Sequence, residues 1–506
     1  MYSPNKPYPV WCPDCWFSDE WNPLDYGREY DRSKPFFEQM NELWKKVPKV
    51  ALIYVRSVNS EYINISADNK NCYMIVESSN NEDCAHCYWI QVCKDCVDVS
   101  FSHQTQFSYE SDDSYDSYRL FYSKGCYNCL DSYFLFDCRG CSNCIGCVNL
   151  RNKQYHIFNK PYSKEDYEKF LREVRLDSYN GVELLREKFK NFLIAQPRKY
   201  SEIYNASRST GNYITNAKNC RICFHAYDAE DNAYSVHVWR GAKGIMDCDT
   251  SGRGAEFNYN SLNAGLAASY CICTSVCWGS SFAEYSFYCH NCNNVFGSVG
   301  LRKKNYCILN KQYSKDEYEK LMKEIVNSLS KDHGYGDFFP LWMSPFGYNE
   351  SSAIDQFPLA KAEAINQGFT WEDYPRGTYG KEMVKWSEVP DSIRDVGHLD
   401  VLNVIFACES CKKNYRIIPY EFEFYKKLDT PLPRLCPDCR HTRRFTARGP
   451  NRLWHRQCMC DYAVYSNTVT HKHHSTGRCP NEFETSYASD RKEIVYCEQC
   501  YNSEVV

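Results

Sequence analysis

Between Asn59 and Ser330 the apolar residues come in short runs broken by polar corners. Runs such as Tyr73–Val76 and Tyr133–Phe136 are rich in Tyr, Phe, Val and Ile, which favour strands. Many cysteines of this stretch follow an Asn or Asp: Asn71, Asp83, Asp95, Asn128, Asp137, Asn143, Asn219, Asp247 and Asn291. Asx residues turn the chain and tolerate left-handed φ. The next residue can then point inward, where a small apolar thiol packs well. The cysteines also keep a step of twelve, as in Cys72, Cys84 and Cys96, in Cys126 and Cys138, and in Cys277 and Cys289. This pattern predicts coils of twelve residues, or of twenty-four with two such corners.

The stretch is written twice. Cys141 to Leu171 matches Cys292 to Met322 at an offset of 151 without a gap, with 17 of 31 positions identical. Such self-similarity marks a repeat architecture. The predicted fold is mainly β: two tandem β-solenoid (β-helix-like) units, each closed by helices, with small zinc-ribbon modules at the C-terminal end. Helices are expected at Pro35–Lys46, after the box Ser163 and Asp166, at Val182–Ile194, after the box Ser314 and Glu317, at Leu359–Asn366 and at Glu421–Lys427. Helices that shield the open end of a repeat act as caps. The expected divisions are an arm over 1–58, unit one with its caps over 59–198, unit two with its cap over 199–336, a connector over 337–400, a zinc ribbon over 401–457 and a second zinc module over 458–506.

Composition narrows the setting. The chain has 506 residues, a net charge of −4, 42 Tyr and 31 Cys. The near-neutral charge points to no partner. The first residues, MYSPNKPYPVWCPDCW, have no apolar h-region. No run approaches the ~18 apolar residues of a membrane span. The expectation is a cytoplasmic protein without a membrane, its cysteines free thiols or zinc ligands.

The strongest chemical signal is C-terminal. Cys408-x2-Cys411 and Cys436-x2-Cys439 place four thiolates for one tetrahedral Zn²⁺, a closed and therefore structural site. The spacer predicts a strand at Tyr415–Ile418. A second Zn²⁺, making about two per chain, is expected on Cys458, Cys460, Cys497 and Cys500, with Cys479 or His473 as replacements for one of the first pair. His471, His473 and His474 can equally belong to a polar loop. Cys12 and Cys15 align with Cys497 and Cys500, because Tyr2–Trp16 matches Tyr487–Tyr501 without a gap. No upstream partner pair stands before them, so the chain is expected to be a shortened version of a longer protein or to borrow ligands. Within the repeats, Cys84, Cys87, Cys93 and Cys96 have a metal-like spacing. Unit two replaces Cys84 by Asn232, Cys129 by Ser280, Cys144 by Val295 and Cys147 by Ser298, which favours packing over a metal. Between the two C-terminal sites, 432–457 carries seven arginines, among them Arg440, Arg443, Arg444, Arg448 and Arg452, interleaved with Phe445 and Trp454. Such a run suits phosphates and stacked bases, or it can be satisfied by Glu421, Glu423 and Asp429.

The segment CESCKKNYRIIPYEFEFYKKLDTPLPRLCPDCRHTRR, Cys408–Arg444, resembles the family described as a probable zinc-ribbon domain, with Lys412 where a Gly is usual. The motifs VWCPDCW, PLDYGREYD, CVNLRNKQYHIFNKPYSKEDY, LPRLCPDCR and FETSYASDRKEIVYCEQCY are similar to those of a group of cysteine-rich zinc-ribbon proteins from small-genome bacteria. That resemblance implies zinc binding, a shared architecture and, in longer members, a further ribbon segment upstream of Met1; it implies no reaction. The leading functional expectation is a non-enzymatic zinc-binding scaffold that offers its repeat surface to a protein partner. The alternatives are an RNA- or DNA-binding protein using 432–457 and a carbohydrate-active solenoid enzyme. No Gly-rich phosphate loop, nucleophile elbow or HExxH motif supports an enzyme.

Overall fold

A computed structural model describes residues 8–373, 377–465 and 467–505. Residues 2–7 of the N-terminal alignment lie outside them. Among the described residues the chain is mainly β, with many mostly parallel sheets, the largest of eight strands, and ten α-helices. The two repeat stretches share one rule. In the first, Glu82↔Lys94, Cys84↔Cys96 and Lys94↔Gln106 pair in parallel, and the next strands follow at the same step of twelve. Four bridges three residues apart, Val58↔Lys70, Glu61↔Tyr73, Asn64↔Val76 and Ala67↔Ser79, repeat that step. The second stretch keeps the step of twelve from Ser269↔Ser281 onward, but Glu230↔Lys243, Lys243↔Glu256 and Glu256↔Ser269 step by thirteen. The added residue gives two consecutive left-handed positions at Arg240–Gly241, Arg253–Gly254 and Leu266–Ala267.

Within the step there is a finer period. From Arg56 to Phe158 every third residue has positive φ. The residue after it points inward, and those positions hold small side chains: Cys84, Cys87, Ile90, Cys93, Cys96, Val99 and Ser102 are all buried. All nine Asx residues that precede cysteines are left-handed. So are Tyr62, Ile65, Trp89, Val92 and Phe101, which sequence reasoning did not expect at corners. Left-handed φ costs an L-residue about 1–2 kcal/mol. The corner amides offset it by bonding backwards, as in Asn71 N–H to Val58 O at 3.0 Å and Asp83 N–H to Lys70 O at 3.0 Å. Inward thiols donate forwards to the next coil: Cys84 Sγ lies 3.6 Å from Cys93 O and Cys147 Sγ 3.4 Å from His156 O. Outward aromatics stack along the step, as in Tyr115–Tyr127 at 4.7 Å and Tyr122–Phe134 at 4.8 Å. That is where much of the tyrosine goes.

Helices Lys164–Val174 and Tyr179–Ile194 pack on the first stretch through Tyr167, Val182, Leu185 and Phe189. Ser163 caps the first of them, accepting from Asp166 N–H at 3.1 Å. Lys315–Asp332 packs on the second stretch behind the Ser314–Glu317 capping box. The Phe36–Lys46 helix of the N-terminal arm also lies on the second stretch, with Phe36 5.1 Å from Phe296 and Phe37 5.4 Å from Tyr285. The two stretches meet where Phe101 stacks on His225 at 4.7 Å and Trp89 on His237 at 4.7 Å.

The C-terminal part differs from expectation in two places. The strand expected at Tyr415–Ile418 is only Asn414–Tyr415, paired with Phe406–Ala407, because Pro419 already opens the next helix. A helix that was not expected runs over Pro437–Arg448, with Pro437 at its first position and Gly449 closing it at φ 82°.

Candidate metal centres

Cys408, Cys411, Cys436 and Cys439 converge into one group that could hold a metal ion. The hairpin of Phe406–Ala407 and Asn414–Tyr415 presents the first pair, and the start of the Pro437–Arg448 helix presents the second. Cys411 Sγ and Cys436 Sγ are 3.7 Å apart. A tetrahedron with arms of about 2.3 Å has an edge of about 3.8 Å. Lys412 adopts φ 62°, the left-handed turn for which a Gly is expected there. Burial acts to raise the Cys408 thiol, but the amides of Cys436, Cys411 and Ser410 outweigh it and hold it at about 7.

The second group is richer. Cys458, Cys479, Cys497 and Cys500 converge and are all buried. Cys458–Cys500 and Cys479–Cys497 are 3.7 and 3.9 Å apart. The Cys458 and Cys500 side chains draw the Cys497 thiol far below its ordinary value. Cys460, expected among these four, sits instead with His471, 3.6 Å from its Nδ1, and it converges with His474 and Cys500 as well. His473 reaches Cys500 at 3.2 Å and Cys479 at 3.5 Å. The histidines therefore lie beside the cysteines, with His471 buried and His473 and His474 half-buried. The short strand Val495–Tyr496, which leads into Cys497, pairs in parallel with Arg198–Lys199, between the two repeat stretches.

Cys12 Sγ and Cys15 Sγ lie 3.0 Å apart and exposed, and among the described residues no third donor joins them. The repeat cysteines enter no convergent group among the described residues. Burial pushes the Cys87 thiol well above its ordinary value, which suits an inert packed thiol.

Three arginines of the run are not on the surface. Arg440, Arg444 and Arg448 stand four apart on one helix face and are buried. Arg440 Nε bonds Asp98 at 2.6 Å and its Nη2 bonds Glu421 at 3.1 Å. Arg444 takes the other Asp98 oxygen at 3.0 Å, and Arg443 pairs with Glu110 at 2.5 Å. Arg448 meets Asp112 and Asp113 at 2.8 and 2.6 Å and lies 4.4 Å from the Tyr213 ring of the second stretch. Of the acids named from sequence only Glu421 serves this run: Glu423 pairs with Lys426, and Asp429 with Arg394. The other acids of Arg440, Arg443, Arg444 and Arg448 come from the first repeat, which sequence reasoning missed, while Arg434 pairs with Asp391 and Glu409. Arg452 remains exposed, 5.4 Å over Trp454.

One cavity of about 270 Å³ opens between the stretches, lined by Trp89, Trp239, Trp278, Arg56, Arg253 and Glu77 among others. Burial, with Asp249 nearby, pushes the Glu77 carboxyl up to about 8. Glu77 is the single carboxylate among its described lining residues. No helix among the described residues is long and apolar enough to cross a membrane.

No family model matches the chain, and no curated protein matches it. Among solved structures, a chain from Desulfovibrio desulfuricans G20 titled a "putative acetyltransferase" aligns over 55% of this chain and 81% of its own, at 10% identity. Its TM-score of 0.12 carries no argument about fold or activity.

Proposed function

We propose that the protein is a non-enzymatic, zinc-binding scaffold in which two tandem β-solenoids lie side by side and C-terminal zinc modules lock them together. The step of twelve, repeated across four bridges three residues apart, is what supports closed four-cornered coils. The observation that carries the functional reading is the Pro437–Arg448 helix. It begins on two thiols of one metal group and drives three buried arginines into the acids of the first repeat. Its last arginine also touches the second repeat. Thiolates with tetrahedral spacing select zinc over oxygen-seeking cations. All 31 cysteines are free of disulfides, which suits a reducing cytoplasm. The resemblance to cysteine-rich zinc-ribbon proteins from small-genome bacteria fits the same reading. Burial of Arg440, Arg444 and Arg448 leaves a nucleic acid little of the charge that favoured it. The surface we assign to a protein partner is the exposed ladder Phe257, Tyr270 and Phe282, stacked at 5.3 and 5.1 Å on the second repeat.

Elemental analysis of the full chain tests this reading. Zinc should be present, and Cys436→Ser should release one ion and lower the melting temperature. Full zinc and an unchanged melt in that variant contradict it.

A further inference from the structure

The donors around Cys500 outnumber the needs of one ion. A tetrahedral zinc takes four ligands, and Cys458, Cys479, Cys497 and Cys500 supply them. Cys460, His471, His473 and His474 then remain, and three of them, Cys460, His471 and His474, converge with Cys500 into a second group of four. We propose that the C-terminal module holds two zinc ions bridged by the Cys500 thiolate: one on Cys458, Cys479, Cys497 and Cys500, the other on Cys460, His471, His474 and Cys500. This rests on the zinc-binding reading above and deepens it.

The spacing agrees with both halves. The first set has sulfur pairs at 3.7 and 3.9 Å. In the second, Cys460 Sγ lies 3.6 Å from His471 Nδ1, and Cys500 Sγ lies 3.4 Å from His474 Nε2. A tetrahedron with one sulfur arm of about 2.3 Å and one nitrogen arm of about 2.05 Å has a mixed edge of about 3.6 Å.

The surroundings of His471 point the same way. The ring is buried, and its Nε2 lies 2.8 Å from the Glu504 carboxylate. Glu504 is itself fixed by Thr468, whose amide and hydroxyl reach it at 2.8 and 2.6 Å. A carboxylate on Nε2 keeps the proton there and frees the Nδ1 lone pair, which faces Cys460. Carboxylate, imidazole and metal in line is the usual outer support of a ligating histidine. The sulfurs have outer donors too. Asn467 Nδ2 reaches Cys460 Sγ at 3.3 Å, and Asn481 Nδ2 reaches Cys497 Sγ at 3.3 Å. A set containing His473 would take both Cys479 and Cys500 from the first ion, whereas the set with Cys460 shares only Cys500.

Charge favours the pair. Four thiolates around one dication leave two negative charges inside the protein, at residues that are almost wholly buried. A second dication, with the Cys460 thiolate and two neutral imidazoles, leaves one. Buried net charge is costly.

The experiment is metal counting by native mass spectrometry on the full chain, with cadmium NMR on the wild-type protein after exchange. Three ions per chain are expected: one at Cys408, Cys411, Cys436 and Cys439, and two at the C-terminal module. His471→Ala should leave two and Cys500→Ser one. Two of the three cadmium resonances should be mutually coupled through the shared sulfur, a readout that needs no variant to fold. Two ions in the wild type, one of them lost in Cys408→Ser, overturn this inference and leave the zinc-binding reading intact. Three ions that survive His471→Ala, or resonances without coupling, overturn it as well. A chain with no zinc overturns both.

Discussion

Glu110 shows how single residues carry the docking of the arginine helix. Burial alone would raise its carboxyl, but Arg443 and Arg186 outweigh burial and hold it at about 2. An exposed Glu titrates at about 4.3. A carboxyl lowered by folding adds stability above its unfolded value and loses it as pH falls toward the folded one. Stability should therefore decline between about pH 4.3 and pH 2, and Glu110→Gln should flatten that limb while costing about 1–3 kcal/mol at neutral pH. Denaturant titration across that range checks it; an identical acid limb in the variant contradicts the pairing. The repeat cysteines behave differently. Cys144→Val and Cys147→Ser introduce what the second stretch already carries as Val295 and Ser298. Each should cost ~1 kcal/mol or less and release no metal. Metal loss in either would mean that these thiols are ligands rather than packing.

At the scale of the element, the corner is the decisive unit. Val92 holds φ 56° with its side chain exposed, an unfavourable conformation for a β-branched residue. Twelve residues earlier the same corner is Asn80, at φ 58°. Val92→Asn should raise stability by about 1 kcal/mol, read as a higher denaturation midpoint; a lower one would mean that this corner is not strained. The corners also explain what the sequence made visible. Asx before Cys marks a left-handed turn, so Asn71, Asp83 and Asp95 were readable, and the step of twelve with them. Tyr62, Trp89 and Phe101 were not, because nothing in an aromatic residue announces positive φ. Strand logic expects alternation by two, whereas the inward positions of this chain recur every three, at Cys84, Cys87, Ile90 and Cys93. The convergence of Cys408, Cys411, Cys436 and Cys439 was legible from their spacing, because two C-x2-C pairs bring four thiols to one point. Cys479 and the histidines were harder to place, since loops bring them together and loop paths are not periodic. The Pro437–Arg448 helix left a signal that went unused: Pro after Cys436, an acid in the first turn, and arginines at 440, 444 and 448.

For the whole molecule, the chain crosses over itself. Its N-terminal arm lies on the second stretch, through Phe36, Phe37 and Trp16, and Arg302 bonds the Trp16 and Ser18 carbonyls. Its C-terminal modules lie on the first stretch and at the junction. Tyr501 beside Cys500 bonds Asn149 at 3.1 Å, and Arg198 N–H bonds Ile494 O at 2.8 Å. Metal bound in the modules would therefore also order the joint between the stretches. Apolar contact between the stretches, through Trp89, Phe101, His225 and His237, does not depend on metal. Removing metal should accordingly loosen the clamp and leave the repeats folded.

Hydrogen exchange on the full chain, loaded with zinc and after chelation under reducing conditions, tests that claim most directly. Arg198 and Tyr200 donate their amides to Ile494 and Tyr496 of the last module, far from any thiol of their own. Stripping the metal should remove protection from these two amides and from the helix at 437–448, while amides within 283–308 keep theirs. Unchanged protection at Arg198, Tyr200 and 437–448 after the metal has left would contradict it.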